Sequence, residues 1–331
     1  FFLWGLLWAV YFMTDGFDLG IGTLMPFVAK SEEDKRVMVN AMGPLWDGNE
    51  VWLLTAGGVT FAAFPTVYAV MFSSLYSALM LILFALIMRG VAFEFRGKVE
   101  GTGWRKVWDT FLFVGSAAPA LLFGVAFANI FRGIPIDQNG INQGTLLTLL
   151  NPYGLLGGVL FLLLFLTHGS LWLSIKTEGD LQSRSAGVTA KLWPVLLGVA
   201  VLFLIASAFA TNLYANYLSY PVLFIVILLT VAGLLGIRFF LAKQAYFKAW
   251  FASALTIVGA TFYGVIGLFP NMFPSSIDPA YSLTAHNASS SPLTLKIMLV
   301  VVILFVPVVL AYQTWAYFMF KDKVTLDDLI Y

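Results

Sequence analysis

Apolar residues fill this chain in long unbroken stretches, and short polar segments part them at roughly one helix length. A membrane-crossing helix needs roughly 20 mostly apolar residues, and the pattern predicts nine such helices, at 1–29, 44–64, 66–92, 107–131, 152–175, 189–211, 218–241, 247–270 and 293–320. From Leu192 to Ile237 there is no charge at all, yet the stretch is too long for one span. Thr211-Asn212, Asn216 and Ser219-Tyr220-Pro221 divide it into an antiparallel pair, as Phe64-Pro65-Thr66 divides the second span from the third.

The basic residues orient these spans. Lys30, Lys35 and Arg36 follow the first; Arg89, Arg96, Lys98, Arg105 and Lys106 lie around the turn from third to fourth; Lys176, Arg184 and Lys191 follow the fifth. Arg238, Lys243 and Lys248 surround the next such turn, and Lys321 and Lys323 follow the ninth span. Of 18 basic residues only Arg132 and Lys296 fall on the opposite side. The positive-inside rule then sets the N-terminus outside and the C-terminus in the cytoplasm of a multi-pass membrane protein. A short internal repeat aligns Phe12-Met13-Thr14-Asp15-Gly16 with Phe165-Leu166-Thr167-His168-Gly169, and Pro65 with Pro221. It predicts two four-helix units of parallel orientation, 1–131 and 152–270, followed by a ninth helix at 293–320, all within one integral membrane domain. Because the first span is apolar from Phe1, a few residues are expected upstream.

Composition removes whole classes of function. With 60% hydrophobic and 11% charged residues, 31 Phe and 10 Trp, the chain carries more apolar surface than a soluble core hides. The absence of Cys excludes disulfides, thiolate metal sites, iron–sulfur clusters and thiol nucleophiles. A net charge of +1, with basic residues scattered, gives nucleic acid nothing to bind.

Charges inside the apolar stretches are the candidate chemistry, because an ionisable group in a membrane helix is costly. Asp15 and Asp18 lie three residues apart on one face of the first span, and Asp47 and Glu50 repeat that spacing where the second span opens after Gly43-Pro44. Together they predict an acidic ladder from the cytoplasmic edge to mid-membrane, suited to protons or cations. The structural alternative is that Asp47 complements the positive end of its helix and Asp15 pairs with an arginine or with another subunit. Arg89, with Glu94 and Arg96, ends the third span and is placed to counter Asp47 or Glu50. His168, deep in the fifth span, is a candidate proton relay or metal ligand, or a hydrogen-bonded core histidine. His286 falls in the polar loop Ser275–Pro292, too distant to complete a metal or haem site, so this chain is expected to ligate no metal or cofactor. Asp109 with Trp104 and Trp108 reads as an interfacial belt, Glu32-Glu33-Asp34 as a solvated face, and Gly16, Gly20, Gly22, Gly57 and Gly58 as faces where helices approach closely.

Thr14-Asp15-Gly16-Phe17-Asp18-Leu19-Gly20, followed by Gly43-Pro44-Leu45-Trp46-Asp47-Gly48-Asn49-Glu50-Val51-Trp52, resembles subunit II of the cytochrome bd-type quinol oxidases. Further matches are the segment Arg89 to Arg96, Trp104-Arg105-Lys106-Val107-Trp108-Asp109, the neighbourhood of Gly124 to Asn129, Asn151-Pro152-Tyr153-Gly154 and Phe273-Pro274-Ser275-Ser276, so the resemblance spans essentially the whole chain. It implies the bacterial cytoplasmic (inner) membrane, and a nine-helix, non-haem subunit in a heterodimer with a haem-bearing subunit I that holds two b-type haems and one d-type haem. Membrane quinol is oxidised on the outer side, and oxygen is reduced to water with cytoplasmic protons. It admits a bound quinone and small single-helix accessory subunits, with lipid around them. In that family the aspartate of the Trp-Asp-Gly-Asn segment, here Asp47 beside Trp46, is implicated in proton uptake at the subunit interface; Asp18 and Asp15 are candidates for the inner part of that path. Some relatives carry His where this chain has Leu45. Two other functions fit the buried carboxylates: a proton- or cation-coupled secondary transporter, and a subunit that only scaffolds its partner.

Overall fold

The computed structural model describes residues 1–325, which are mostly helical. Helix α1 (Phe2–Val28) buries most of its length and is the axis of the bundle. It packs against α3 (Trp46–Ala63), α6 (Thr102–Arg132), α7 (Pro152–Lys176) and α11 (Tyr246–Leu268). The remaining helices are α2 (Glu32–Met42), α4 (Pro65–Ser74), α5 (Tyr76–Phe95), α8 (Gly179–Ala210), α9 (Tyr214–Ser219), α10 (Phe224–Ala242) and α12 (Pro292–Met319). Strands β1 (Asn271–Phe273) and β2 (Leu283–Thr284) pair antiparallel in the loop before α12. Among the described residues seven helices are long and apolar enough to cross a membrane: α5, α6, α7, α8, α11, α12 and the segment Pro221–Ala242 containing α10.

Glycine decides how closely the central helices meet. A Cβ on Gly20 would lie 1.9 Å from the Phe165 carbonyl oxygen, and one on Gly169 would lie 2.7 Å from the Ile21 nitrogen, so α1 and α7 cross backbone to backbone. Gly16 faces Phe165 and Gly22 faces Ser116 of α6 in the same way. Around this crossing an aromatic layer forms, with Phe12 edge-on to Phe161 at 5.0 Å and Trp8 edge-on to Phe127 at 5.1 Å. The expectation does not extend to α3: Gly57 and Gly58 have no neighbouring atom within 4 Å, and that face is open.

Several segments depart from the pattern-based reading: α8 begins at Gly179 rather than at 189, and the helix expected at 218–241 is divided at Tyr220-Pro221 into α9 and α10, the proline lacking a backbone donor. The Glu32-Glu33-Asp34 run is the first turn of α2, capped by Ser31 Oγ accepting from the Asp34 N–H at 3.1 Å, and its acids oppose the positive helix end. Two of its three carboxylates are paired, Glu32 accepting from Arg96 at 2.7 Å and Asp34 from Arg184 at 2.5 Å, while Glu33 is exposed as a solvated face requires. Asp109 likewise bridges Lys35 and Arg96, each at 2.6 Å, instead of serving only an interfacial belt. The expected helix at 66–92 is broken at Leu75 into α4 and α5 without a proline, because Asn142 Nδ2 donates to the Ser74 carbonyl at 3.0 Å and replaces the helical donor there.

Candidate functional site

Four ionisable side chains meet where α1, α3 and α5 converge. Asp15 Oδ1 accepts from Arg89 Nη2 at 2.7 Å, and the same nitrogen reaches Glu50 Oε2 at 3.1 Å. Asp15, Asp18 and Arg89 are completely buried, whereas the Glu50 side chain is 23% exposed, so the Asp15–Arg89–Glu50 trio runs from the interior to the surface of the chain. Gly115 makes room for it: a Cβ there would stand 2.8 Å from the Arg89 nitrogen, so α6 rests directly on the arginine's backbone. Removing one member of a buried ion pair costs about 3–5 kcal/mol, because the other charge is left uncompensated. Asp15 Oδ2 and Arg89 Nε and Nη1 have no hydrogen-bond partner among the described residues.

Asp18 belongs to a second, hydrogen-bonded arrangement. Its Oδ2 accepts from Asn49 Nδ2 at 2.7 Å, and Asn49 Oδ1 in turn accepts from Tyr317 Oη at 2.8 Å and Gln313 Nε2 at 3.1 Å. Trp52 Nε1 donates to Gln313 Oε1 at 2.7 Å. The sequence pattern assigns Asn49, Gln313 and Tyr317 no role of their own. Their signal was legible all the same: Gln313 and Tyr317 stand four residues apart on one face of the apolar ninth stretch.

The other expected residues lie apart from this junction. Asp47 is exposed in the first turn of α3, where its carboxylate accepts the Gly48 N–H at 2.6 Å. Trp46 is half-buried and stacks on Phe93 at 4.9 Å, while Glu94 is exposed at the end of α5. Arg89 counters Asp15 and Glu50 and not Asp47. His168 is fully buried: Nδ1 pairs with Ser253 Oγ at 2.9 Å, Nε2 with the Met13 carbonyl at 3.0 Å, and the ring stacks on Trp250 at 5.0 Å. Both imidazole nitrogens are thus engaged within the chain, and among the described residues no three His, Asp or Glu gather as a metal site would require. A separate cavity of about 80 Å³, lined by Phe12, Phe161 and Leu234 among others, carries no charged side chain.

Comparison with known proteins gives this arrangement its context. The sequence profile of the family described as cytochrome bd terminal oxidase subunit II matches residues 1–320. A probable cytochrome oxidase subunit 2 from Haemophilus influenzae is 40% identical, over 96% of this chain and 93% of that protein. The cytochrome bd ubiquinol oxidase subunit 2 of Bacillus subtilis is 38% identical, over 98% and 96% respectively. In three dimensions the chain is similar to a chain of the bd oxidase from Geobacillus thermodenitrificans, with a TM-score of 0.76 over 96% of each chain; at 13% identity that likeness speaks for the fold. With a profile match from the first residue through α12, and with relatives aligned almost end to end, this chain belongs to the cytochrome bd terminal oxidase subunit II family and is a multi-pass subunit of a bacterial inner-membrane oxidoreductase.

Proposed function

We propose that the chain is the non-haem subunit of a bd-type quinol:oxygen oxidoreductase, that it supports the haem-bearing subunit I, and that it passes cytoplasmic protons toward the reduction of oxygen to water. The haems, two of b type and one of d type, belong to subunit I in this reading. Here α1 and α3 join the seven long apolar helices as spans, giving nine, with two four-helix units, a ninth helix, the N-terminus outside and the basic side in the cytoplasm. The observation that carries the proposal is the convergence of Asp15, Asp18, Glu50 and Arg89 inside an apolar bundle, three of them completely buried. Such a cluster is expensive in lipid and is kept where charge or protons are handled.

The path begins at Asp47, exposed in the first turn of α3 and able to collect protons. Glu50, one turn further and partly exposed, relays to the Arg89–Asp15 pair, with Asp18 one turn along α1. A scaffolding role has its own support, since the 2.7 Å Asp15–Arg89 pair ties α1 to α5 whatever else it does. Asp47→Asn separates the two. It keeps volume and hydrogen bonding but removes the titratable group, so steady-state quinol oxidase turnover should fall at least tenfold, about 1.4 kcal/mol in barrier, with assembly and haem absorbance intact. Full oxygen consumption in the assembled variant overturns the proton path through Asp47, and loss of haem together with activity favours scaffolding.

A further inference from the structure

The hydrogen bonds between α12 and α3 have a fixed direction. The Trp52 indole N–H is a donor and never an acceptor, so the Gln313 oxygen must turn toward it, at 2.7 Å. The Gln313 amide nitrogen is thereby aimed at Asn49 Oδ1, at 3.1 Å, and Tyr317, one turn further on, donates its hydroxyl to that same oxygen at 2.8 Å. With its oxygen taken by two donors, Asn49 presents its amide N–H to Asp18 Oδ2 at 2.7 Å. A flip of either amide sets donor against donor at one end and oxygen against oxygen at the other. The second carboxyl oxygen, Asp18 Oδ1, is buried and has no partner among the described residues.

We propose that α12 sets the hydrogen-bond polarity at Asp18: Gln313 and Tyr317, oriented by Trp52, are positioning residues that hold Asn49 as a donor to Oδ2 and reserve Oδ1 as the oxygen that takes up and releases the proton. The amide keeps both its hydrogens throughout, so the proton that leaves Oδ1–H is the one that Oδ1 received, and Asn49 steers it without carrying it. Helix α12 has no buried residue. Besides these bonds, it is held by Leu295, Met298 and Val306 packed against the core, by ring contacts of Tyr317 with Phe17 and Trp172, and by Lys176, which donates to the Phe320 and Asp322 carbonyls just beyond it. A displacement of this exposed helix is therefore felt at a completely buried carboxyl through one rigid amide.

The turnover readout rests on the proton-delivery reading, whereas the spectroscopic one does not. The complex purified with its partner subunit is compared by infrared spectroscopy with Asp18→Asn, and the carboxyl or carboxylate signal missing from that variant is assigned to Asp18. In the double variant Trp52→Phe, Tyr317→Phe, which frees both amides to turn while Asp15, Glu50 and Arg89 stay unchanged, the Asp18 signal should shift in frequency. Turnover should fall about fivefold, the equivalent of one net hydrogen bond of ~1 kcal/mol. Tyr317→Phe alone keeps the ring and should give a smaller shift in the same direction; it decides the matter if the double variant does not assemble. Cysteines placed on α3 and α12 of this cysteine-free chain should cross-link equally well before and after substitution. An unmoved Asp18 signal, or a moved signal accompanied by loss of the cross-link, overturns the proposal. Unchanged turnover in Asp18→Asn itself defeats the proton reading of Asp18 and leaves the infrared result to judge the positioning role by itself.

Discussion

At the scale of single residues, the central fact is that Arg89 spends one nitrogen on two carboxylates. Its Nη2 serves Asp15 at 2.7 Å and Glu50 at 3.1 Å, so one guanidinium neutralises the buried end and the half-exposed end of the same group. Arg89→Leu leaves Asp15 uncompensated and should destabilise the protein by about 3–5 kcal/mol, seen as a lower unfolding midpoint of the detergent-solubilised complex or as failed assembly. The variant Asp15→Asn with Arg89→Gln should recover part of that loss, because the completely buried carboxylate goes with its partner and only the partly exposed Glu50 is left without the guanidinium. If the double variant is no more stable than Arg89→Leu, the loss does not come from an uncompensated Asp15 carboxylate. The sequence leaves Asp15 two alternatives, a place in an acidic ladder or a pairing with an arginine or another subunit. The identity of the partner had to come from packing, because Asp15 and Arg89 are 74 residues apart and nothing local relates them.

Helices add a second kind of constraint, the distance at which backbones can pass. Gly20 and Gly169 permit the α1–α7 crossing, and Gly20→Ala would push a methyl into the Phe165 carbonyl, 1.9 Å from the ideal Cβ position. The expected cost is about 1–3 kcal/mol or more, the usual penalty of overpacking, read as a fall in thermal midpoint. Gly58→Ala is the control: nothing lies within 4 Å, so the helix should keep or gain stability through alanine's better propensity. A Gly20→Ala midpoint equal to wild type would show that the crossing relaxes freely. The glycines of both helices look alike in sequence, and only the tertiary arrangement distinguishes the crowded set in α1 from the open set in α3. The break at Leu75 belongs to the same scale, since its cause, Asn142, lies 68 residues from Ser74 in a loop.

For the whole molecule, loops fix the ends of the bundle. Asp137, in the loop between α6 and α7, accepts from the Ile141 N–H at 3.0 Å and the Asn139 N–H at 2.8 Å, and these backbone donors hold its carboxyl below the usual range. A group lowered in the folded state stabilises above its unfolded value, near 3.9 for aspartate, and that support is lost as pH falls through the folded value. Hydrogen exchange at Ile141, corrected for its intrinsic rate, should therefore gain speed only below about pH 4. Asp137→Ala should show the faster exchange already at neutral pH. Protection that ignores both acid and the substitution would mean that the carboxylate does not order this loop. The loop matters beyond itself, because Ile134 and Ile136 are anchored to Pro274 and Ser275 in the segment that leads to α12.

The sequence by itself determined the membrane character, the positions of the long apolar helices, the buried carboxylates of the first span and, through two specific motifs, the family. Those properties are local: a helix is apolar or not by its own residues, and an ionisable group in it is costly wherever the helix packs. Tertiary structure alone decided that Arg89 answers Asp15 and Glu50, that Asp47 and Glu94 stand outside the junction, and that His168 has both nitrogens engaged. It alone brought Gln313 and Tyr317, more than 260 residues along the chain, onto Asn49. Hydrogen-bond partners within a bundle are set by which helix faces meet, and the 3.6-residue period says which residues share a face but not which face it will find.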